Sequence, residues 1–146
     1  MVNNHSNHAL RAAREAVVRA HVEAEAIQHN VAATIATFRH PRYEIPAFGV
    51  VADGAEAVEK LLNGFLGAFP DLWLKTRVLY HSDDAVFVEV SFGGTHRDTW
   101  AGVPATGKQF EVESMLMFTF EGEQLMGEKL YLDQATILRQ IGMTFR

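Results

Sequence analysis

The feature that most constrains this chain is a pair of alternating apolar runs joined by a segment rich in glycine and proline. Every second residue is apolar in the first run, which contains Val86, Val88, Val90 and Phe92, and a second such run begins at Phe110. A period of two is typical of β-strands with one buried face. The pattern therefore predicts two sheet strands joined by a shaped loop over residues 93–109, which can form the mouth of a cavity.

The sequence before this region predicts mainly helices. Residues 9–29 are rich in Ala, Glu and Arg, with apolar positions near helical spacing, and Asn30 can cap a short second helix. A short strand is expected at residues 43–45, between two prolines. Asp53 and Glu56 resemble a capping box, which predicts a helix that continues to about Phe69 with one apolar face.

The second half of the sequence predicts strands. They are expected over residues 72–81, 85–92, 109–120 and 124–132, with turns of polar residues and glycine between them. Asp133 then caps a short terminal helix that ends at Gly142. Helices followed by a meandering sheet indicate an α+β fold, in a single domain over residues 1–146 whose first ten residues form a peripheral tail.

Composition excludes several classes of function. A net charge of −5 without basic clusters argues against nucleic-acid binding. No apolar stretch approaches the roughly 20 residues that span a bilayer, so no membrane association is expected. The absence of cysteine excludes thiolate catalysis and thiolate metal sites and is consistent with a cytoplasmic protein.

Several of the predicted strands are apolar on both faces. Phe110, Val112, Leu116 and Phe118 alternate with Met115 and Met117. One face is expected to cover helices or a cavity, and the simplest partner for the other face is a second copy of the chain. The sequence therefore predicts a homodimer.

Three segments resemble the SnoaL-like polyketide cyclase branch of the nuclear-transport-factor-2-like superfamily. They are residues 52–58 leading to 69–71, then Gly94-Thr-His96 with Gly102-Val-Pro-Ala-Thr-Gly107, and then Asp133 with Leu138-Arg-Gln-Ile-Gly142. The resemblance implies a cone-shaped, curved sheet wrapped around the N-terminal helices, with a largely apolar pocket between them. The superfamily contains both enzymes and non-catalytic binding modules, so the fold alone does not define a function.

The cyclases of this family use an acid on the last strand, a histidine on the preceding strand and a polar group on the first strand. The resemblance places these positions on Leu130, Leu116 and Ile45, which are all aliphatic in this chain. This departure counts against the cyclase mechanism, although a shift of register or a β-bulge would move other residues into these positions.

Three residues are candidates for proton transfer. His96 lies at an irregular strand end and has an ordinary pKa near neutrality, although its ring could simply bind the following loop. Glu44 is a candidate base if it faces inward, and the alternative is that Tyr43 faces inward and Glu44 faces solvent. His29, near the end of the first helix, could reach the pocket rim.

Other residues are expected to contribute apolar contacts to a ligand. Trp100 is expected to fold over the pocket mouth, and the remaining candidates on the sheet are Tyr43, Leu116, Phe118, Leu130 and Tyr131. His21, Glu25 and His29 share a helix face, which is expected to be a salt-bridged face and not a metal site. Glu113 or Glu128 is expected to form an ion pair at a rim or interface, for example with Arg77 or Lys129.

The sequence leaves two functions open. In the first, the protein binds an apolar or polycyclic carbonyl compound and performs acid/base chemistry without a cofactor, such as isomerisation, cyclisation or dehydration. In the second, it is a non-catalytic ligand-binding or dimeric interaction module, which is favoured by the aliphatic residues at Leu116, Leu130 and Ile45.

Overall fold

The computed structural model describes residues 4–145 and shows helices packed on a curved, six-stranded sheet. The helices are α1 (Asn4–Val22), which continues as a π-helical turn (Glu23–Ile27), α2 (Val31–Ala36), α3 (Ala55–Ala68) and α4 (Gln134–Gln140). The strands are β1 (Arg42–Ile45), β2 (Val50–Asp53), β3 (Trp73–His81), β4 (Ala85–Thr95), β5 (Gln109–Glu121) and β6 (Gln124–Leu132), and a short 3₁₀ turn (Pro46–Phe48) joins β1 to β2. The α+β prediction is confirmed.

The sheet has the order β2-β1-β6-β5-β4-β3. Strands β3 to β6 form the predicted antiparallel meander, whereas β1 pairs with β6 in parallel and thereby makes the sheet mixed. Strand β2, which pairs antiparallel with β1, was not predicted. Its four residues are too few to show an alternating pattern, and their pairing with β1 comes from the tertiary fold.

Two of the three predicted helix caps are confirmed. The Asn30 side chain accepts a hydrogen bond from the Ala33 amide, and the Asp133 side chain accepts one from the Thr136 amide. The capping box at Asp53 is wrong, because helix α3 is preceded by Gly54 and has no side-chain cap. The Asp53 carboxylate instead binds Arg42 and His40 on the neighbouring strand and turn.

Helix α1 is longer than expected at its N-terminus. It already includes residues 4–10, which the sequence analysis assigned to a tail, while residues 1–3 of that tail lie outside the described part of the chain. Arg14 is buried and attaches the helix to the sheet, because its guanidinium donates to the carbonyls of Asp83 and Gly122 in two hairpin turns. The helix thus crosses the concave face of the sheet.

Alternation along the strands separates the two faces of the sheet. The concave face carries the buried core, including Val86, Val88, Val90, Phe118 and Phe120 on β4 and β5. Across residues 4–145, no helix has the length and apolar character needed to cross a membrane.

Candidate active site

An apolar cavity of about 60 Å³ lies between the concave face of the sheet, the π-helical turn and helix α3. Its lining is aliphatic and aromatic except at one end, where Glu25, Tyr43 and Glu128 reach it. Few convergent polar groups in an otherwise apolar space are the usual composition of a small-molecule site.

The polar end is organised around the buried His21 of helix α1. Its Nε2 atom lies 2.8 Å from the Tyr43 hydroxyl, 2.9 Å from Glu128 Oε2 and 3.1 Å from Glu25 Oε2. Tyr43 and Glu128 are direct neighbours in the parallel pairing of β1 and β6. The Tyr43 hydroxyl also donates to Glu25 Oε2. We call His21, Glu25, Tyr43 and Glu128 the polar cluster.

Thr37 fixes the protonation of the other nitrogen of His21. The Thr37 hydroxyl donates to the Thr34 carbonyl, so it can only accept from His21 Nδ1, at 2.7 Å. Nδ1 therefore carries a proton. A second proton, on Nε2, is the one that gives the ring its charge, and this atom faces the two carboxylates.

The carboxylates keep His21 charged in spite of its burial. Burial by itself lowers the pKa of His21, but the attraction of the nearby Glu128 carboxylate, followed by that of Glu25, raises it to about 9. Burial raises the pKa of Glu128, as does the charge of Glu25, and His21 opposes both effects. Burial also raises the pKa of Tyr43 well above its ordinary value, so the hydroxyl remains a donor.

Glu128 has one oxygen that the polar cluster does not fully satisfy. Its Oε2 atom is buried and has no hydrogen bond of good alignment, although His21 Nε2 lies close enough for an ion pair. A buried polar atom without an aligned partner is uncommon in folded proteins. Because Glu128 also lines the cavity, its carboxylate can contact a bound molecule.

The polar cluster also contains the groups that a metal would need. One ligand atom each from His21, Glu25 and Glu128 lies within 4.8 Å of the others. His29 does not join this set, because its Nε2 donates to the Leu72 carbonyl at 2.8 Å. The helix-face row of His21, Glu25 and His29 is therefore not formed.

The structure decides the orientation of the first strand. Tyr43 is buried and faces the cavity, whereas Glu44 faces outward and pairs with Lys129 and Arg42. Hydrogen bonds first from Lys129 and then from Arg42 lower the pKa of Glu44, which is the opposite of what a buried base requires. Of the two orientations that the sequence left open, the one with Tyr43 inward and Glu44 outward is present, so Glu44 does not reach the cavity as the candidate base.

His96 lies outside the cavity. It is fully buried against the Phe69 ring, with ring centroids 5.6 Å apart, and its Nδ1 contacts the Thr106 hydroxyl at 3.1 Å. Its backbone also binds Lys108 and Gly107. The structure thus places His96 where it holds the 97–108 loop against the core, and separates it from Glu44 and from the polar cluster.

The expected ligand-contact residues fall into two groups. Tyr43, Leu116 and Leu130 line the cavity. Phe118 lies behind it, against the ring of His21, and Tyr131 is half exposed on the convex face of the sheet. Trp100 does not line the cavity but packs on Phe48 and Phe65, which do.

The polar cluster was not predicted from the sequence. Glu128 lies two residues before Leu130 on β6, and Tyr43 lies two residues before Ile45 on β1. A displacement of two residues keeps the same face of a strand. Each polar group thus occupies the inward-facing position that precedes the aliphatic position indicated by the resemblance. The alternation of inward and outward residues along the two strands was the signal that could have located them.

Glu113 and Glu128 both lie on apolar strands, but their carboxylates face opposite sides of the sheet. Glu113 is exposed and pairs with Arg77 at 2.8 Å, which confirms the expected rim ion pair. Glu128 instead faces the concave side and is 4% exposed.

The architecture is that of the nuclear-transport-factor-2-like proteins, in which a curved sheet and helices enclose a pocket. The sequence profile of the SnoaL-like polyketide cyclases matches residues 14–141. The chain belongs to the SnoaL-like polyketide cyclase family. No curated protein sequence matches it significantly.

Solved structures show the same fold at low sequence identity. AclR from Streptomyces galilaeus is 22% identical, with a TM-score of 0.75 over 90% of this chain and 82% of that one. A protein with a ketosteroid isomerase-like fold from Catenulispora acidiphila, in complex with trimethylamine, is 21% identical, with a TM-score of 0.73 over 88% and 93%. A phenazine biosynthesis-related protein from Pseudomonas aeruginosa is 14% identical, with a TM-score of 0.78 over 94% and 85%.

Proposed function

We propose that the protein binds the carbonyl end of an apolar ketone in the cavity and catalyses a proton-transfer step next to this carbonyl group. The observation that carries the proposal is the buried Glu128 carboxylate, which lines the cavity and has one oxygen, Oε2, without an aligned hydrogen bond. A carboxylate in such a place can remove a proton from carbon, because little solvent competes for it.

Each member of the polar cluster has a separate role in this proposal. Glu128 accepts the proton from the carbon beside the carbonyl, and the carbon–hydrogen electron pair forms the enolate. When the ligand binds, the Tyr43 hydroxyl turns its single proton from Glu25 Oε2 to the enolate oxygen, and its raised pKa keeps it protonated for this role. His21, which is charged and fixed by Thr37, opposes the rise that burial causes in the pKa of Glu128 and so favours its ionised form.

The enolate can then react in two ways. Glu128 can return the proton to a different carbon, which is an isomerisation. Alternatively, the enolate carbon can attack a second carbonyl of the same molecule, whose oxygen becomes an alkoxide and takes the proton back from Glu128, which is an aldol cyclisation. Both outcomes use the same base and the same donor. Membership of the SnoaL-like polyketide cyclase family favours the cyclisation.

Hydrogen–deuterium exchange tests the shared first step. 2-Tetralone in D₂O exchanges its C1 protons, and we expect the protein to accelerate this exchange, as followed by NMR. Glu128→Gln should reduce the acceleration roughly 100-fold or more, in the range of general-base catalysis. Glu44→Gln is the matched control, since Glu44 faces outward on the adjacent strand, and should leave the rate unchanged.

A non-catalytic ligand-binding module is the alternative, and the aliphatic lining at Ile45, Leu116 and Leu130 favours it. The same experiment separates the two functions. If 2-tetralone binds and its C1 protons exchange no faster than in buffer, the proton-transfer proposal fails and the binding module stands.

We also propose that the convex face of the sheet forms a homodimer interface. Tyr80 pairs with Phe87, which pairs with Met117, and Met115 pairs with the half-exposed Tyr131. These residues form a continuous apolar patch, and the simplest complementary surface is the same patch of a second copy. Sedimentation equilibrium should give twice the chain mass, and Met117→Lys should give the monomer mass. A monomeric parent protein would contradict the interface.

A further inference from the structure

An apolar groove on the surface adjoins the cavity and shares four side chains with it. Ile45, Phe48, Leu61 and Phe65 line both spaces. The cavity encloses about 60 Å³ and the groove about 490 Å³. Ligand sites usually measure about 300–1,000 Å³, so the cavity alone is too small for a drug-sized molecule, whereas the groove reaches this range.

The groove has two fixed walls. One wall is strand β2, where Val51 is 58% exposed. The other is a tight hairpin in which Trp100 and Val103 exchange both backbone hydrogen bonds. The central residues of this hairpin, Ala101 and Gly102, have φ angles of 49° and 75°. A left-handed alanine is strained, and such strain is often found at ligand sites.

Helix α3 forms the floor of the groove and carries a glycine there. Gly64 is in the middle of the helix, and a Cβ atom added to it would meet nothing within 4 Å. Glycine destabilises a helix interior, and no neighbouring group requires it at this position. Its effect is to leave the groove open.

The charge of the groove lining indicates which class of ligand the groove can hold. Among the described residues that line the groove, Lys60 alone is charged, and it lies one turn before Gly64 on the same helix face. An apolar occupant with an anionic group at its outer end would match both the walls and Lys60.

We propose that the groove is a second subsite, which holds the anionic outer part of an elongated apolar ligand whose reacting end occupies the cavity. Phe48 and Phe65 stand between the two spaces and have to turn aside to admit such a molecule. The inference rests on the proposed function for the identity of the reacting end, but the groove can be tested without turnover.

Two fluorescent probes that differ by one sulfonate test the subsite. 8-Anilinonaphthalene-1-sulfonate is the anionic probe, and N-phenyl-1-naphthylamine is its neutral counterpart. Gly64→Leu fills the groove and should weaken the binding of both probes roughly tenfold or more. Gly67→Leu is the matched control, because Gly67 lies on the same helix outside the groove lining and an added Cβ would also meet nothing there.

Both leucine variants should raise Tm, since leucine is a better helix former than glycine, so a loss of binding cannot be attributed to misfolding. Lys60→Gln should weaken the anionic probe by about two- to fivefold, as expected for an exposed ion pair, and leave the neutral probe unchanged. Equal binding by Gly64→Leu and the parent protein would overturn the subsite, and an equal effect of Lys60→Gln on both probes would overturn its charge preference.

Two further measurements distinguish this inference from its alternatives. Glu128→Gln should retain binding of both probes at the groove, so a failure of the proton-transfer proposal would not affect this result. If Gly64→Leu changes the sedimentation mass, the groove is covered by a second copy of the chain and the subsite is overturned.

Discussion

The Nε2 atom of His21 lies 2.9 Å from the Oε2 atom of Glu128, and both side chains are almost completely buried. An isolated charge at either position would destabilise the fold, because it would be buried without a partner. The two groups stabilise each other, and together with Glu25 they keep the histidine charged well above its ordinary titration range. This pair therefore links the stability of the fold to the chemistry proposed for the cavity.

Stability should fall as the pH rises through the titration of His21. The pKa is raised from 6.5 to about 9, so the contribution is complete below pH 6.5 and is lost as the pH passes 9. Such a difference corresponds to about 3 kcal/mol. The raised pKa of Glu128 acts in the same direction from its usual value of 4.5 upward. Urea unfolding at pH 6 and pH 9.5 measures the effect, and equal free energies of unfolding at both would contradict it.

Removing the charge of Glu128 should lower the pKa of His21. Burial is the largest single influence on the pKa of His21, and it favours the neutral ring. In Glu128→Gln, only Glu25 remains to oppose this effect of burial. The imidazole proton shifts in an NMR titration should give a midpoint clearly below 9. Glu44→Gln is the control and should not move the midpoint, because Glu44 pairs with Lys129 on the opposite face of the sheet. Identical midpoints in both variants would show that Glu128 does not hold the charge.

Thr37 should act as a positioning residue for His21. Thr37→Val removes the acceptor of the Nδ1 proton, which lies at 2.7 Å, and leaves a buried donor without a partner. We expect a loss of about 1–3 kcal/mol in the free energy of unfolding. Thr37→Ser keeps the hydroxyl and should restore most of it, together with the titration midpoint of His21. A valine variant as stable as the parent protein, with an unchanged midpoint, would argue against this role.

The fold and the inward-facing residues Leu116 and Leu130 could be predicted from local patterns, whereas the meeting of the four residues of the polar cluster could not. The alternation of Val86, Val88 and Val90 and the capping side chain of Asn30 act within a few residues, and both were read correctly. The polar cluster joins residues from helix α1, the π-helical turn, β1 and β6. These residues are up to 107 positions apart in the sequence and come together only in the folded chain. Its assembly depends on the parallel pairing of Tyr43 with Glu128, which no local pattern encodes.

His96 shows why a motif can mislead about function. It lies in the segment that carries the family resemblance, and a histidine at a strand end is a reasonable site candidate. In the structure it packs on Phe69 and binds the loop that follows it. The motif therefore holds a loop against the core near the cavity. The titratable groups at the cavity come from segments outside the motif.

Gly93 should not tolerate even a methyl group. An added Cβ would lie 2.3 Å from the Phe110 carbonyl oxygen and 2.8 Å from the Trp73 ring. The contact with backbone cannot be relieved by rotating a side chain, so Gly93→Ala should cost about 1–3 kcal/mol in chemical denaturation. Gly64→Ala is the opposite case, because it lies in open space on helix α3, and should be stabilising by about 0.5–1 kcal/mol. Equal stabilities of the two variants would contradict the close approach at Gly93.

Arg14 should contribute more to stability than an exposed arginine on the same helix. Its Nε and Nη1 atoms donate to the carbonyls of Gly122 and Asp83 at 2.8 and 2.9 Å, and the guanidinium lies over the Phe120 ring. Arg14→Met keeps an apolar stem but removes both bonds, so we expect a loss of about 2–4 kcal/mol in urea unfolding. Arg19→Met removes a contact of 3.9 Å from a side chain that is 66% exposed, and should change the free energy by less than about 0.5 kcal/mol. Because both changes are made in helix α1, a similar effect of the two would mean that helix propensity, and not attachment to the hairpin turns, determines the result.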